Sequence, residues 1–269
     1  MVLHDPAGQA PFLWRAEPAP GLHVAFTGVD AGNLAFHVSG TLVGEAAGNR
    51  QEARDSTAAA RRRLEDAMGV ERGRTEYLTQ VHSARVVPAR GRGWADEQAP
   101  READALVSAT GRDPVAIMVA DCLPVVLVSR PAGGDGATGP TAVAHAGRRG
   151  LLDGVLENTV HRLRQDGAGE GPGDIQAWIG PAICGRCYEV PEPMRADGTA
   201  RIPATGSTTS WGTPALDLPA GADSVLTGLG VTVHHSGLCT LEDHRTYSHR
   251  REPGRGRSVG LVWRNHERG

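Results

Sequence analysis

Three side chains that can bind a metal interrupt apolar, strand-like stretches of the sequence. His82 lies in QVHS, Cys122 in ADCLPVVLV and His145 in AVAHAGRRG. An imidazole or thiol buried among valines and alanines needs a polar partner, and two histidines with one thiolate form a donor set suited to zinc. Three protein ligands also leave one coordination position for a water molecule, whose pKa falls to about 7 on the metal. Spacing alone leaves open that each histidine is a core residue bonded to a backbone carbonyl.

Two carboxylates and one amide are further candidates for chemistry in this part of the sequence. Asp121 directly precedes Cys122, and Asp104 lies in the string ADALVS, so either carboxylate can act as a general base or cap a turn. We favour Asp121 as the catalytic group because it adjoins a candidate ligand. Gln80 precedes His82 by two positions and shares its face if this segment is a strand, which makes Gln80 a candidate substrate contact.

Arginine supplies every basic side chain other than histidine, because the sequence contains no lysine. The absence of lysine excludes a pyridoxal-phosphate Schiff base, a phosphate-loop lysine and a kinase-type ATP lysine. Planar guanidinium groups can hold phosphate in a bidentate manner, although a solvated loop is the alternative interpretation. The candidates are Arg148 and Arg149 after the second histidine, and Arg250, Arg251 and Arg257 in SHRREPGRGR.

A second group of cysteines occurs later in the chain. Cys184 and Cys187 form the string CGRC, and Cys239, His244 and His249 follow. A structural zinc site or a redox pair is conceivable here. A single CxxC without a second one is weak evidence for either, so ordinary packing or pocket lining is the favoured interpretation.

Helical and strand-like patterns alternate irregularly along the chain. Helices are predicted over residues 55–68, with a stop at Gly69, and over residues 151–164. Valine-rich and isoleucine-rich runs predict strands at 77–81, 114–120, 124–129, 141–145, 175–179, 231–235 and 258–263. Because strands outnumber helices and arrive partly in pairs, the pattern favours mixed α and β structure. The glycine-rich segment 167–174 leads into a strand, which argues against a dinucleotide-binding loop.

Length and charge restrict the class of protein. The chain has 269 residues and a formal net charge of −3, so it can bury a large core and carries no overall basic field for nucleic acid. No segment has the signature of a secretion signal or a membrane span, and we expect a cytosolic protein. The expected organisation is a single domain over residues 1–269, with residues 1–20 forming a loosely ordered extension.

Six strings occur in the order seen in the YfiH/LACC1 family, which the chain resembles over about residues 80–263. They are QVHSARV, ADALVS, ADCLPVVL, AVAHAGRRG, IGPAICGRCYEV and CTLEDHRTYSHRR. Members are also described as multicopper polyphenol oxidases, purine nucleoside phosphorylases and peptidoglycan editing factors. The resemblance implies that His82, Cys122 and His145 bind a metal, usually assigned as zinc. Arg148 stands where the family commonly has tryptophan.

The resemblance also implies a fold and an activity. The expected fold class is α+β, a YfiH-like layered α/β sandwich with mixed sheets. The expected activity is zinc-dependent phosphorolysis of adenosine, inosine and methylthioadenosine, with possible adenosine deaminase activity, by a monomer or weak dimer whose partners are a nucleoside and phosphate. Asp121 and Arg250 are the expected catalytic residues. The expected substrate contacts are Gln80, Arg148, Arg149, Cys187 and Arg257.

Three other functions remain open at this point. The same metal site could hydrolyse an amide in a wrongly built peptidoglycan precursor. Copper-dependent oxidation of phenols is less favoured, because one set of two histidines and a cysteine does not supply the several histidine-rich copper sites that such oxidation needs. A non-catalytic, metal-stabilised binding module is the third alternative.

Overall fold

The structure is a computed structural model that describes residues 10–38, 47–96, 101–132 and 139–265. The strands are β1 (Phe12–Ala19), β2 (Leu22–Thr27), β3 (Val86–Pro88), β4 (Ala105–Ser108), β5 (Val115–Val119), β6 (Leu123–Ser129), β7 (Thr141–Ala146), β8 (Ile175–Ile179), β9 (Gly206–Thr208), β10 (Pro214–Leu216), β11 (Thr232–His235) and β12 (Ser258–Arg264). The helices are α1 (Ala47–Met68), α2 (Arg148–Leu152), α3 (Val155–Gln165), α4 (Glu192–Arg201) and α5 (Leu218–Gly228).

Two larger sheets organise the strands. One sheet has the order β1-β2-β12-β5 and is antiparallel throughout. The other has the order β11-β8-β6-β7-β4-β3 and is mixed, because β11 runs parallel to β8 and β3 runs parallel to β4. Strands β9 and β10 form a separate antiparallel pair.

Alternating side chains show that the elements form four layers. In β5, Ala116 and Met118 pack in one cluster with Leu64 of α1, whereas Ile117 packs in a second cluster with Val126 of β6. The opposite face of β6 packs against α3 and α5 in a third cluster. Successive strand residues point to opposite faces, so α1 covers one outer face of the sheet pair and α3 and α5 cover the other. The predicted layered α/β sandwich with mixed sheets is confirmed.

The same alternation directs two polar side chains into the layer between the sheets. Val143 of β7 and Leu106 of β4 belong to the cluster between the sheets. His145 lies two residues after Val143, and Asp104 lies two residues before Leu106, so both share that face. Pairing of β4 with β7 makes Asp104 and His145 neighbours at one end of the sheet, where the His145 N–H donates to the Asp104 carbonyl at 2.7 Å.

Several predicted elements are confirmed within a few residues. The predicted strands at 114–120, 124–129, 141–145, 175–179, 231–235 and 258–263 correspond to β5, β6, β7, β8, β11 and β12. The predicted helix 55–68 is the C-terminal part of α1 and ends at the predicted residue. The predicted helix 151–164 is two helices, α2 and α3, because Gly154 between them adopts a left-handed φ of 94°.

Two predictions about local structure are wrong. Residues 77–81 do not form a strand: the segment crosses between the sheets and makes isolated bridges from Glu76 to Val115 and from Thr79 to Glu102. Within the segment 1–20 expected to be loose, Phe12–Ala19 forms β1, because it pairs with β2 and buries Trp14 against Phe26. Residues 1–9 lie outside the described residues. The single-domain organisation stays a prediction.

No helix in the described part of the chain is both long enough and apolar enough to cross a membrane.

Candidate metal centre

His82, Cys122 and His145 converge on one point at the end of the layer between the sheets. Each offers one ligand atom, and the three atoms lie within 4.8 Å of one another. Cys122 Sγ is 3.8 Å from His82 Nε2, and the two imidazole ring centroids are 4.7 Å apart. Tetrahedral zinc bonds of about 2.3 Å to sulfur and about 2.0 Å to nitrogen would separate those two donor atoms by about 3.5 Å. The triad therefore fits a zinc ion with only small adjustments.

Two tight turns carry ligands of this triad. His82 has a φ of 59°, and Asp121, directly before Cys122, has a φ of 86°. Among the described residues, these are the only ones other than glycine with a left-handed backbone. This conformation costs about 1–3 kcal/mol for a residue other than glycine, so the surrounding structure has to hold each turn in place.

The buried carboxylate of Asp104 holds the first turn. Asp104 Oδ2 accepts hydrogen bonds from the Val81 and Ser83 amides at 3.2 and 2.6 Å and from Ser83 Oγ at 2.7 Å. Asp104 Oδ1 accepts from the His82 amide at 2.9 Å. The side chain of Asp104 is fully buried. One carboxylate thus fixes the backbone that presents His82.

Asp104 also orients the second histidine. Oδ1 lies 2.8 Å from His145 Nδ1, and an ionised carboxylate only accepts, so Nδ1 carries the proton. The other ring nitrogen, Nε2, is then available as a ligand. A carboxylate behind a metal-binding histidine is the usual arrangement that fixes its tautomer. A general base or a turn cap was the sequence-based prediction for Asp104, and its role behind His145 was not predicted.

The absence of a side chain at Gly147 leaves room beside the triad. A Cβ atom at this position would lie 2.7 Å from His82 Cδ2 and 3.1 Å from Cys122 Sγ. Gly147 has an ordinary φ of −69°, so space rather than backbone conformation is what requires glycine here.

The triad is strongly polarised without a metal. Burial raises the pKa of Cys122, but hydrogen bonds from His145 and His82 outweigh burial and bring it down to about 6. Burial lowers the pKa of His145, but the hydrogen bonds to Asp104 and Cys122 raise it to about 9. At neutral pH the metal-free site therefore holds a thiolate beside an imidazolium, and a metal cation can replace the shared proton.

One tyrosine and two arginines border the triad. Burial raises the pKa of Tyr188, the Cys122 thiolate raises it further, and Arg148 and Arg250 oppose the increase. The guanidinium of Arg250 lies over the Tyr188 ring, 5.3 Å from its centroid. Because Tyr188 interacts with the thiolate and with both arginines, these side chains share one region. In the string IGPAICGRCYEV, Cys187 was predicted as a substrate contact, whereas the neighbouring Tyr188 was not.

Asp121 holds the later arginine-rich segment against the triad. Asp121 Oδ1 accepts from Thr240 Oγ1 at 2.6 Å, and Oδ2 accepts from the Arg250 amide at 2.7 Å. The guanidinium of Arg251 donates to the carbonyls of Thr240, Leu241 and Thr246, which closes this segment on itself. These contacts favour a positioning role for Asp121.

Arg257 interacts electrostatically with the triad and with His37. Burial lowers the pKa of Arg257, and the charges of Cys122 and Asp121 oppose the decrease. Burial also lowers the pKa of His37, and Arg257 and Arg61 lower it further. Arg257 therefore lies within electrostatic range of both the triad and His37.

The cavity beside His37 has a volume of about 920 Å³ and a cationic, aromatic wall. Its lining includes Phe36, His37, Arg54, Arg61, Arg62, Tyr77, Gln80, Trp94 and Met118. The buried guanidinium of Arg61 lies 3.7 Å from the Tyr77 ring centroid and donates to the Leu34 carbonyl at 2.9 Å. This combination suits a ligand with a flat ring and an anionic group.

Three of the expected substrate contacts have other surroundings. The amide of Gln80 is bonded at both ends to the Met118 backbone, at 2.6 and 2.8 Å, although the residue also lines the cavity. Arg149 is exposed on α2, and no described contact joins its side chain to the triad. Cys187 is 3% exposed, and its Sγ lies 3.5 Å from Glu242 Oε1.

The chain is similar to a described protein family and to named proteins. Residues 36–265 match the family model described as multi-copper polyphenol oxidoreductase laccase. A Streptomyces griseus protein named purine nucleoside phosphorylase ORF3 is 40% identical over 93% of this chain and 97% of its own length. A Corynebacterium glutamicum protein named purine nucleoside phosphorylase Cgl2154/cg2365 is 37% identical over 77% of this chain and 81% of its own.

Solved structures show the same fold. Neisseria meningitidis protein NMB0706 superimposes with a TM-score of 0.73 at 30% identity, covering 95% of this chain and all of that one. YlmD from Geobacillus stearothermophilus gives a TM-score of 0.72 at 26% identity, covering 93% of this chain and 94% of that one.

Proposed function

The chain belongs to the multi-copper polyphenol oxidoreductase laccase family, and we propose that it is a zinc-dependent purine nucleoside phosphorylase acting on adenosine, inosine and methylthioadenosine. The observation that carries this proposal is a three-ligand metal site bordered by arginines, with a nucleoside-sized cavity whose lining includes Gln80, two residues before the ligand His82. Relatives at about 40% identity that are named purine nucleoside phosphorylase support the same activity.

The donor set favours zinc over a multicopper centre. Two imidazoles and one thiolate at tetrahedral distances are typical zinc ligands, and three protein ligands leave a position open. In the described residues, the other group of potential metal ligands contains three cysteines and a glutamate and no histidine. A zinc ion bound by the triad would supply a Lewis acid and an acidified water molecule.

In phosphorolysis, the arginines have to hold phosphate next to the ribose carbon that loses the purine. Arg250 and Arg148 border the triad on the side of Tyr188, and Arg257 lies within electrostatic range of Cys122 and of His37, which lines the cavity. Guanidinium groups bind phosphate through paired N–H donors and stabilise the charge that develops as the glycosidic bond breaks. The raised pKa of Tyr188 keeps its hydroxyl protonated, so it can donate a hydrogen bond to an anion or a sugar oxygen.

The neighbouring cavity would receive the nucleoside. Its volume lies in the range of small-molecule sites, and the rings of Phe36 and Trp94 offer faces on which a purine can stack. Asp104 and Asp121 act on the reaction through the groups that they position. Asp104 positions the two histidines, and Asp121 positions Cys122 and the Arg250 segment. Oligomeric state stays a prediction of monomer or weak dimer.

Deamination of adenosine is the second reaction we propose for the same site. The feature that favours it is the set of three protein ligands: His82, Cys122 and His145 would hold a zinc ion, which would supply the acidified water that deamination at C6 of a purine requires. A purified sample would then convert adenosine to inosine without phosphate, whereas phosphorolysis requires phosphate. The two reactions are therefore separable in one assay.

The test is a substrate panel on metal-replete protein with and without phosphate. We expect inosine and phosphate to give hypoxanthine and ribose 1-phosphate, detected by chromatography, and Cys122→Ala to abolish the reaction. Arg250→Ala should mainly raise the KM for phosphate, whereas Arg195→Ala, an exposed arginine paired with Glu192 on α4, should leave it unchanged.

Two results would replace this proposal. Hydrolysis of a peptidoglycan dipeptide precursor without purine release would assign amidohydrolase activity to the same metal. Absence of turnover on every substrate, with the metal bound and the fold intact, would favour the non-catalytic binding module.

A further inference from the structure

Three cysteines and a glutamate converge at a second position, away from the triad's own ligands. The ligand atoms of Cys184, Cys187, Cys239 and Glu242 all lie within 4.8 Å of one another. Cys187 and Cys239 are buried, Cys184 is half-buried and Glu242 is exposed. Four donors around one point are enough to complete a tetrahedral shell without water.

The backbone presents these donors from two similar turns. Cys184 and Cys187 are separated by two residues, and the Cys187 amide donates to the Cys184 carbonyl at 2.9 Å. Cys239 and Glu242 have the same separation, and the Glu242 amide donates to the Cys239 carbonyl at 3.2 Å. Each turn therefore directs two donor side chains to one side, as CxxC turns do in structural zinc sites.

A short parallel bridge holds the two turns together. The Ala182 amide donates to the Leu238 carbonyl at 3.2 Å, and the Thr240 amide donates to the Ala182 carbonyl at 3.0 Å. The Cys184 amide also points at Cys239 Sγ, with a nitrogen-to-sulfur distance of 3.5 Å. Burial raises the pKa of Cys239, and this N–H opposes the increase.

Two simpler explanations leave part of the cluster unexplained. A disulfide between Cys184 and Cys187 would use only the first turn and leave Cys239 and Glu242 without a role. Packing of thiols as small apolar groups accounts for their contact with Ile183 and Leu241. It does not account for a carboxylate oxygen 3.5 Å from Cys187 Sγ.

We propose that Cys184, Cys187, Cys239 and Glu242 form a structural zinc site, separate from the His82, Cys122 and His145 triad. The donor set is rich in thiolate, which selects a soft divalent ion such as zinc over magnesium or calcium. Four protein ligands close the shell, so this ion stabilises the fold and does not activate water. A shallow cavity of about 150 Å³, lined by both Cys184 and Cys239, gives the ion access from solvent.

The second ion would brace the part of the active site that holds Cys122. Thr240 lies inside the second turn, between two of the ligands, and its hydroxyl donates to Asp121 at 2.6 Å. Asp121 in turn precedes Cys122 and accepts the Arg250 amide. Fixing the turn at residues 239–242 therefore fixes the arginine segment and the strained residue next to the triad ligand.

Metal analysis of the intact protein tests the proposal directly. We expect purified wild-type protein to contain two zinc ions per chain by elemental analysis, and Cys122→Ala to retain one. Cobalt loaded into Cys122→Ala should give intense sulfur-to-cobalt absorption, because only the three-cysteine site remains. Glu242→Gln should release its zinc to a chelator faster, while Glu252→Gln, an exposed glutamate paired with Arg255, should not.

Cys187→Ser should remove one zinc and lower the unfolding temperature. If this variant does not fold, cobalt binding by Cys122→Ala decides the question, because that variant leaves the second cluster intact. One zinc per chain in the wild type, lost completely in Cys122→Ala, would overturn the proposal. A disulfide among Cys184, Cys187 and Cys239 in protein purified without oxidant would also overturn it.

Discussion

Replacing Asp104 with asparagine should damage both the stability of the protein and its metal site. The asparagine side chain keeps the shape of the carboxylate but replaces one acceptor oxygen with an NH₂ donor. If that NH₂ faces His145, it donates to Nδ1, so Nε2 carries the proton and cannot bind metal. If the NH₂ group faces Ser83, it places a donor against two other donors. These are the Ser83 amide and hydroxyl, which in the wild type donate to Asp104 at 2.6 and 2.7 Å.

The pKa of Asp104 gives the size of the effect. Burial raises this pKa, but the hydrogen bonds from His145 and Ser83 outweigh burial and hold it at about 2, compared with an ordinary value of 3.8. That difference corresponds to about 2 kcal/mol of stabilisation of the folded protein at neutral pH. Loss of a carboxylate behind a metal-binding histidine typically weakens metal binding by about 10–100-fold.

The stability that Asp104 and His145 contribute is lost at both low and high pH. The Asp104 contribution is present above pH 3.8 and is lost as the pH falls toward about 2. In metal-free protein, the pKa of its partner His145 is raised from 6.5 to about 9, so that contribution is complete below pH 6.5 and is lost as the pH rises through 9. The stability difference between wild type and Asp104→Asn should therefore be largest between about pH 4 and 6.5.

Urea unfolding of metal-free protein at several pH values measures the stability, and competition with a chromophoric chelator measures zinc affinity. Asp153→Asn is a suitable control, because its half-exposed ion pair with Arg201 should contribute less than about 1 kcal/mol. The role assigned to Asp104 is refuted if the free energy of unfolding of Asp104→Asn at pH 6 lies within about 0.5 kcal/mol of the wild-type value and the variant binds zinc equally well.

Two further predictions concern the triad itself. Gly147→Ala should lower zinc affinity in the chelator assay, because the new Cβ would lie 2.7 Å from His82 Cδ2. The control Gly228→Ala, whose Cβ meets nothing within 4 Å, should leave zinc affinity unchanged. Equal zinc affinities of Gly147→Ala and wild type would contradict a steric role for Gly147. In metal-free protein, the rate of Cys122 alkylation by iodoacetamide, followed by mass spectrometry, should rise with a midpoint near pH 6 and be suppressed by zinc. A midpoint near the ordinary thiol value of 9.0 would show that the histidines do not stabilise the thiolate.

The triad was predictable because each member interrupts an apolar stretch of the sequence, and the order of the family-like motifs supports the grouping. In the structure only His145 lies in a strand, while His82 and Cys122 lie at turns. Strand alternation also places His145 on the face between the sheets. The mixed α and β character followed from the predicted strands, whereas the layered sandwich was implied by the family resemblance. The strands β1, β2, β3, β4, β9 and β10 were not predicted.

Other features depend on contacts between distant residues. Gln80 was expected to share a strand face with His82, but the left-handed backbone of His82 ends any strand geometry there. Asp104 acquires its role only from partners 21–41 residues away, which no local pattern displays. The CGRC string gave weak evidence by itself, because the second turn, at Cys239 and Glu242, joins it only in the folded chain.

The place of β12 in the antiparallel sheet has a consequence for biosynthesis. This strand lies between β2 and β5, so residues 258–264 join an N-terminal hairpin to a strand more than a hundred positions earlier in the chain. Until the ribosome has released those residues, β2 and β5 each expose an unpaired edge that can associate with other nascent chains. We therefore expect chains shortened before residue 258 to aggregate during synthesis even though the complete triad has already been translated.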